Sequence, residues 1–122
     1  MDKERFDELV ANVVSNLPKE FMSRLENVEV LVEDFPTSAQ LRRSGLRSNK
    51  TLLGVYEGVP HTRRTAGYNM VLPDKITIFQ KAIEASCRNE QEIPAVIESI
   101  VKHEIAHHFG ISDDRLRELG RY

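Results

Sequence analysis

Residues 103–113 read HEIAHHFGISD, an H-E-x-x-H core that is followed at fixed spacing by a glycine and an aspartate. On an α-helix, residues four apart lie on the same face, so His103 and His107 can place two imidazole nitrogens on one metal ion. A catalytic zinc ion usually takes three protein ligands and leaves a fourth position to water. The spacing therefore predicts a zinc site that needs one more ligand from beyond the helix.

Gly110 indicates where the third ligand comes from. A glycine just past the last helical turn adopts the left-handed conformation at no steric cost, so it ends the helix and turns the chain sharply. We expect this turn to bring Asp113 back to the metal. Asp113 could instead cap a short final helix, as could Ser112 or Asp114.

Glu104 follows the first histidine directly and is not expected to bind the metal. Its carboxylate is placed to take a proton from a metal-bound water as a general base, so the predicted chemistry is hydrolysis. The alternative is a buried helix whose histidines are satisfied by hydrogen bonds and whose Gly110 is an ordinary C-terminal stop. That alternative gives Glu104 no role.

Four stretches together resemble the small family of bacterial metallopeptidases called minimal zincins: HEIAHHFGISD, LVEDFP, LLGVYEGVPHTRR and LPDKITIFQ. The metal motif is the specific part, and the resemblance covers the chain from the Phe6 region to about Leu119. It implies a zincin-like α/β fold. It also implies that the metal is bound by His103, His107 and Asp113. The implied catalytic base is Glu104.

The implied function is that of a zinc-dependent metallopeptidase with one zinc ion, acting on a peptide or a flexible protein segment. The alternative is a metal-stabilised protein-interaction module without appreciable turnover. Oxyanion stabilisation could come from Tyr56, His61, or an arginine at position 63 or 64. The sequence does not define the oligomeric state.

Length and composition predict one globular domain over residues 1–122, since the chain is long enough to bury a core and too short for two domains. Hydrophobic residues make up 40% and charged residues 30%, which is typical of soluble proteins. No apolar run approaches membrane-spanning length, and the lone Cys87 fits a reducing compartment. We therefore expect a cytoplasmic protein without a membrane partner.

Charge is unevenly distributed along the chain. Residues 1–34 contain nine acidic and four basic side chains, whereas residues 40–64 contain six basic side chains and one acidic side chain, Glu57. Such a basic segment could attract nucleic acid or an acidic substrate. A solvated surface is the favoured interpretation, because no aromatic interleaving or known nucleic-acid motif accompanies it. We expect no nucleic-acid partner.

Hydrophobic spacing predicts an α+β arrangement, with an N-terminal amphipathic helix, a small mixed sheet and a buried metal-site helix. In chain order, the predicted elements are a helix over 6–17, a short helix over 19–25, a strand over 28–32, a short helix within 37–45 capped by Thr37 or Ser38, strands over 51–57 and 76–79, and a short helix over 114–119.

The metal-site helix is expected to begin after Asn89 as its cap and to run to about Phe109. Its predicted core side carries Ile97, Val101 and His108. Its predicted outward face carries Ala95, Glu98, Ser99, Lys102 and Ala106. In the zincins that this chain resembles, an edge strand beside the metal cleft pairs with an extended peptide, and Ile76–Gln80 is the candidate for that strand.

Overall fold

A computed structural model describes residues 1–45, 52–58 and 72–110 of the chain. Helix α1 spans Lys3–Ser15 and begins where the Asp2 side chain accepts a hydrogen bond from the Arg5 amide at 2.8 Å. Its apolar stripe is buried through Phe6 and Val10, which confirms the predicted amphipathic helix. After Pro18, the short helix α2 spans Lys19–Met22 and continues as a 3-10 turn over Ser23–Leu25.

Three described strands form one mixed sheet. Strand β1 spans Val28–Glu33, β2 spans Gly54–Glu57 and β3 spans Asp74–Phe79. The strand order is β1-β3-β2, with β1 parallel and β2 antiparallel to β3. The small mixed sheet predicted from the sequence is thereby confirmed.

The position of β3 in the sheet corrects one prediction. Ile76–Gln80 was predicted to be an edge strand, but β3 has a strand on both sides and Ile76, Ile78 and Phe79 are fully buried. Both edges of β3 are therefore used within the sheet, and no peptide can add there. The edge that faces the metal-site helix belongs to β2.

Two further helices connect and flank the sheet. Helix α3 spans Ser38–Arg43 and begins at the predicted cap Thr37, whose hydroxyl accepts from the Gln40 amide while the Gln40 side chain accepts from the Thr37 amide. Helix α4 spans Gln80–Ser86 and follows β3 without an intervening turn. Helix α4 was not predicted from the sequence, because no turn residue marks the switch from strand to helix.

Helix α5 spans Ile93–Phe109 and is the predicted metal-site helix. It begins later than predicted, because a 3-10 turn over Glu90–Glu92 follows Asn89, whose side chain makes no capping bond to that turn. It ends where predicted: Gly110 has a φ of 71° and lies in the left-handed region. Helix α5 packs against α1 on one side and against the sheet on the other. No described helix is both long enough and apolar enough to span a membrane.

The outward face predicted for α5 is partly wrong. Lys102 and Ala106 are buried, at 1% and 0% exposure. The Lys102 ammonium lies 2.6 Å from a carboxylate oxygen of Glu98 and 6.0 Å from the ring centroid of Phe21. The aliphatic part of a lysine side chain can pack like an apolar residue when its ammonium group is paired with a carboxylate. Lys102 can therefore be buried although lysine is usually exposed to solvent.

Candidate metal centre

His103 is oriented by its own helix. Its Nδ1 lies 2.8 Å from the backbone carbonyl oxygen of Ser99, one turn earlier on α5. A carbonyl only accepts, so Nδ1 carries the proton and donates it. This bond fixes the neutral tautomer in which Nε2 has the lone pair, and metal-binding histidines are commonly held in this way.

His107 lies one turn further along α5, and its ring centroid is 6.1 Å from that of His103. Two imidazoles on one zinc ion, at Zn–N distances of about 2.0–2.1 Å, would have centroids about 5–6 Å apart. His103 is half-buried and His107 is exposed, so the pair lies where the surface of the protein meets its interior. At 6.1 Å the two rings are slightly farther apart than two imidazoles on one zinc ion, so a small ring movement would be needed to place both histidines on one metal ion.

Asp113, the predicted third ligand, lies outside the described residues. Among the residues that the structure does describe, no group of three His, Cys, Asp or Glu side chains is arranged to hold a metal ion. The described residues thus include two predicted nitrogen ligands, His103 and His107, and the predicted third ligand lies beyond the left-handed turn at Gly110.

Glu104 contacts strand β2. Its Oε1 accepts a hydrogen bond of 2.9 Å from the backbone amide of Tyr56. Burial raises the pKa of the Glu104 carboxyl above its ordinary value, and the Tyr56 amide and the two neighbouring histidines oppose this rise less strongly. A carboxyl group with a raised pKa is a better proton acceptor when ionised, as a general base requires.

The orientation of β2 explains why the Tyr56 amide is available to Glu104. The Phe79 amide donates to the Leu53 carbonyl, and the antiparallel register pairs Gly54 with Ile78. In such a ladder alternate residues bond to the partner strand, so Val55 bonds to β3 whereas Gly54 and Tyr56 direct their backbone groups away from it. The outer edge of β2 therefore meets α5 at Glu104.

Gly54 lets this edge lie close to α5. A Cβ atom at this position would clash with Cγ2 of Ile100 and would lie 3.2 Å from the Thr77 carbonyl oxygen. Only a residue without a side chain fits between β2 and α5 at this distance. The glycine that interrupts the predicted second strand thus sets the distance between the strand and the metal-site helix.

This chain matches a known protein family and is similar in fold to a solved structure. The family model described as zincin-like metallopeptidase matches residues 25–121, which is most of the chain. The chain belongs to this family. No curated protein matches it in sequence. Among solved structures, a conserved hypothetical protein from Thermus thermophilus is similar, with 20% identity and a TM-score of 0.57, over 89% of this chain and 94% of that one.

These comparisons confirm the zincin-like α/β fold predicted from the sequence. The resemblance to minimal zincins and the family match agree. The match places the chain among zincin-like metallopeptidases as a family, and the similar structure supports the fold alone. Neither tests the predicted ligands or the base, which stay predictions that rest on the motif and on the geometry around Ser99 and Tyr56.

One cluster of contacting side chains near Glu104 was not predicted from the sequence. It consists of Tyr56, His108 and Asp74. The rings of Tyr56 and His108 are stacked, with centroids 3.8 Å apart and an interplanar angle of 17°. The Tyr56 hydroxyl donates to Oδ2 of Asp74 at 2.7 Å, and Nε2 of His108 lies 3.9 Å from the same oxygen. Sequence spacing gave no signal for this group, because its members come from β2, β3 and α5.

The structure differs from two expectations about single residues, His108 and Tyr56. His108 was predicted to face the core, but its side chain is 39% exposed and lies over Tyr56. Tyr56 was considered for oxyanion stabilisation, but its hydroxyl points at Asp74. The other candidates for that role, His61, Arg63 and Arg64, lie outside the described residues.

Proposed function

We propose that this chain is a zinc-dependent peptidase that holds one zinc ion through His103, His107 and Asp113 and uses Glu104 as its general base. The observation that carries the proposal is the position of Glu104. It lies on the helix that presents the histidine pair, it is fixed by a strand amide at 2.9 Å, and burial raises its pKa.

Each described site residue has a distinct task in this proposal. His103 presents Nε2 because Ser99 holds its other nitrogen. Glu104 takes a proton from the attacking water and later releases it to the leaving amine nitrogen, so the carboxylate is restored. When bound, zinc would supply the Lewis acidity that polarises the scissile carbonyl and acidifies water.

The proposed substrate is a peptide or a flexible protein segment that lies along the outer edge of β2. β2 is an edge strand of the described sheet, and an extended chain would form sequence-tolerant hydrogen bonds along the part of its outer edge beyond the contacts of Gly54 and Tyr56 with α5. A groove of about 230 Å³ lies beside the strand and is lined by residues of α3 and β2, including Arg43 and Tyr56. It is a candidate place for part of an extended segment, because Tyr56, whose amide bonds to Glu104, is among its lining residues.

The test is a peptide-library cleavage assay on zinc-loaded protein, with Glu104→Gln protein as the matched control. The amide of glutamine has the shape of the carboxyl group but does not accept the proton of water. We expect wild-type protein to cleave peptides and the variant, at equal zinc content, to leave them intact. If zinc is bound but neither protein cleaves, the alternative of a metal-stabilised interaction module replaces the peptidase.

A further inference from the structure

We propose that Tyr56 is a positioning residue for Glu104, and that His108 and Asp74 act through it. This inference rests on the proposed function, because it concerns the general base of the same site. Tyr56 contacts the site at three points, which are its backbone amide, its ring and its hydroxyl group. Each point joins β2 to a different partner.

The first point is the amide. Glu104 has three rotatable side-chain bonds, and fixing such a side chain in one rotamer costs conformational entropy. The hydrogen bond from the Tyr56 amide to Oε1 offsets this cost and leaves the second carboxylate oxygen of Glu104 to act on water. The orientation of the base therefore depends on where the backbone of residue 56 lies relative to α5.

The second point is the ring. His108 lies four residues after Glu104, so both side chains project from the same face of α5. The helix that carries the base thus also carries the aromatic surface on which Tyr56 stacks, at a centroid distance of 3.8 Å. Stacked aromatic pairs contribute beyond the area that they bury. This contact holds Tyr56 at a fixed position along the axis of α5.

The third point is the hydroxyl group. Tyr56 donates to Asp74 at 2.7 Å, and Asp74 is 8% exposed at the start of the central strand β3. Tyr56 pairs with Ile76 in the sheet register, so this bond runs diagonally between neighbouring strands. The Tyr56 ring is thus held at two points: its hydroxyl group bonds to Asp74 of the sheet, and its face stacks on His108 of α5.

The three contacts have a joint consequence. Strand β2 is four residues long and has one hydrogen-bonded neighbour within the described sheet, so ladder bonds alone hold it weakly. Stacking on His108 and bonding to Asp74 supply the restraint that the short edge strand lacks. Removal of the stack should let the amide of residue 56 move away from Glu104 without disturbing the zinc ligands.

The experiment compares His108→Ala with His108→Phe, which keeps an aromatic face for Tyr56 but has no ring nitrogen. The first measurement is hydrogen exchange of the Tyr56 amide by NMR in zinc-loaded protein. We expect His108→Ala to accelerate exchange by about tenfold, the scale of one net hydrogen bond, and His108→Phe to recover most of the protection. The second measurement is peptide cleavage, where His108→Ala should lower kcat by about tenfold at unchanged KM.

Three results would overturn this proposal independently of the proposed function. Unchanged exchange at Tyr56 in His108→Ala would mean that the stack does not hold the amide. A parallel loss of zinc affinity would make His108 a part of the metal site instead. Unchanged kcat in His108→Ala, with Glu104-dependent cleavage present in the wild type, would remove the positioning role while leaving the proposed function intact. If the wild type shows no Glu104-dependent cleavage, the proposed function fails first and the positioning role fails with it.

Discussion

Nδ1 of His103 and the carbonyl oxygen of Ser99 lie 2.8 Å apart on adjacent turns of α5. The helix backbone thus holds a proton on Nδ1, which leaves Nε2 of His103 as the nitrogen that would bind a metal ion. The ring of His103, a predicted ligand, is therefore held in a metal-binding orientation by its own helix.

His103→Ala should abolish the stabilisation that zinc gives to the folded protein. A metal that binds only the folded state stabilises it by mass action, by about 2.7 kcal/mol when its free concentration is a hundred times Kd. Melting temperatures with and without zinc measure the effect, and His107→Ala should behave in the same way. His108→Ala is the matched control, since its ring lies over Tyr56. Equal zinc-induced shifts in all three variants would contradict the ligand assignment.

Asp113→Ala should weaken zinc binding much more than Asp114→Ala. Loss of a carboxylate that binds the metal directly removes one of three ligands, whereas loss of a helix cap costs only about 0.5–2 kcal/mol of stability and leaves the metal site nearly intact. Competition with a chromophoric chelator gives the two affinities. Equal affinities, or a weaker one for Asp114→Ala, would show that the third ligand is misassigned.

The raised pKa of Glu104 predicts how the stability of the metal-free protein depends on pH. Between the ordinary carboxyl pKa and the higher value in the folded state, the native protein binds a proton that the unfolded chain has released. Stability must therefore fall as pH rises through that window. Glu104→Gln cannot titrate, so it should be more stable than the wild type above the window and show no such advantage below it.

Urea denaturation of both metal-free proteins, at acid and at neutral pH, measures this difference. The two free energies of unfolding are compared at each pH, so that the titrating groups that do not interact with Glu104 cancel. A constant difference between wild type and Glu104→Gln across the pH range would mean that burial does not raise the pKa of this carboxyl.

Gly54→Ala should destabilise the protein, because the added methyl group meets Ile100 and the Thr77 carbonyl oxygen. Overpacking of this kind typically costs about 1–3 kcal/mol. Gly58→Ala is the control from the same region, since the nearest atom to its Cβ would be Cε1 of His108 at an ordinary 3.5 Å. Chemical denaturation should separate the two. Gly54→Ala should cost less stability in an Ile100→Ala background than in the wild type, and an equal cost in both backgrounds would place the strain elsewhere.

Local patterns predicted the parts of this fold that local interactions determine. The end of α5 at Phe109 followed from its apolar periodicity and from Gly110, and α3 followed from its cap at Thr37. Strand order did not follow in this way, because pairing between residues far apart in sequence leaves no local mark. The run from Ile76 to Phe79 is apolar because it is buried inside the sheet, but an apolar run alone does not distinguish a central strand from an edge strand.

In the candidate site, too, contacts within one helix could be predicted from the sequence, whereas contacts between elements could not. The H-E-x-x-H spacing identifies His103, Glu104 and His107 as neighbours on one helix, because a helix fixes their relation whatever surrounds it. The partners of Glu104 and His108 come from β2 and β3, and only the assembled sheet brings Tyr56 and Asp74 to them. A single sequence carries no signal for such contacts.

The central place of β3 also determines the order in which the sheet can form. Within the described residues, β1 and β2 both pair with β3, which is the last of the three to be synthesised. During synthesis, the first two strands must wait unpaired until Asp74–Phe79 has emerged, and closing such long loops slows folding. The nascent chain therefore exposes the apolar side chains of β1 for that interval, and refolding yields should fall as protein concentration rises.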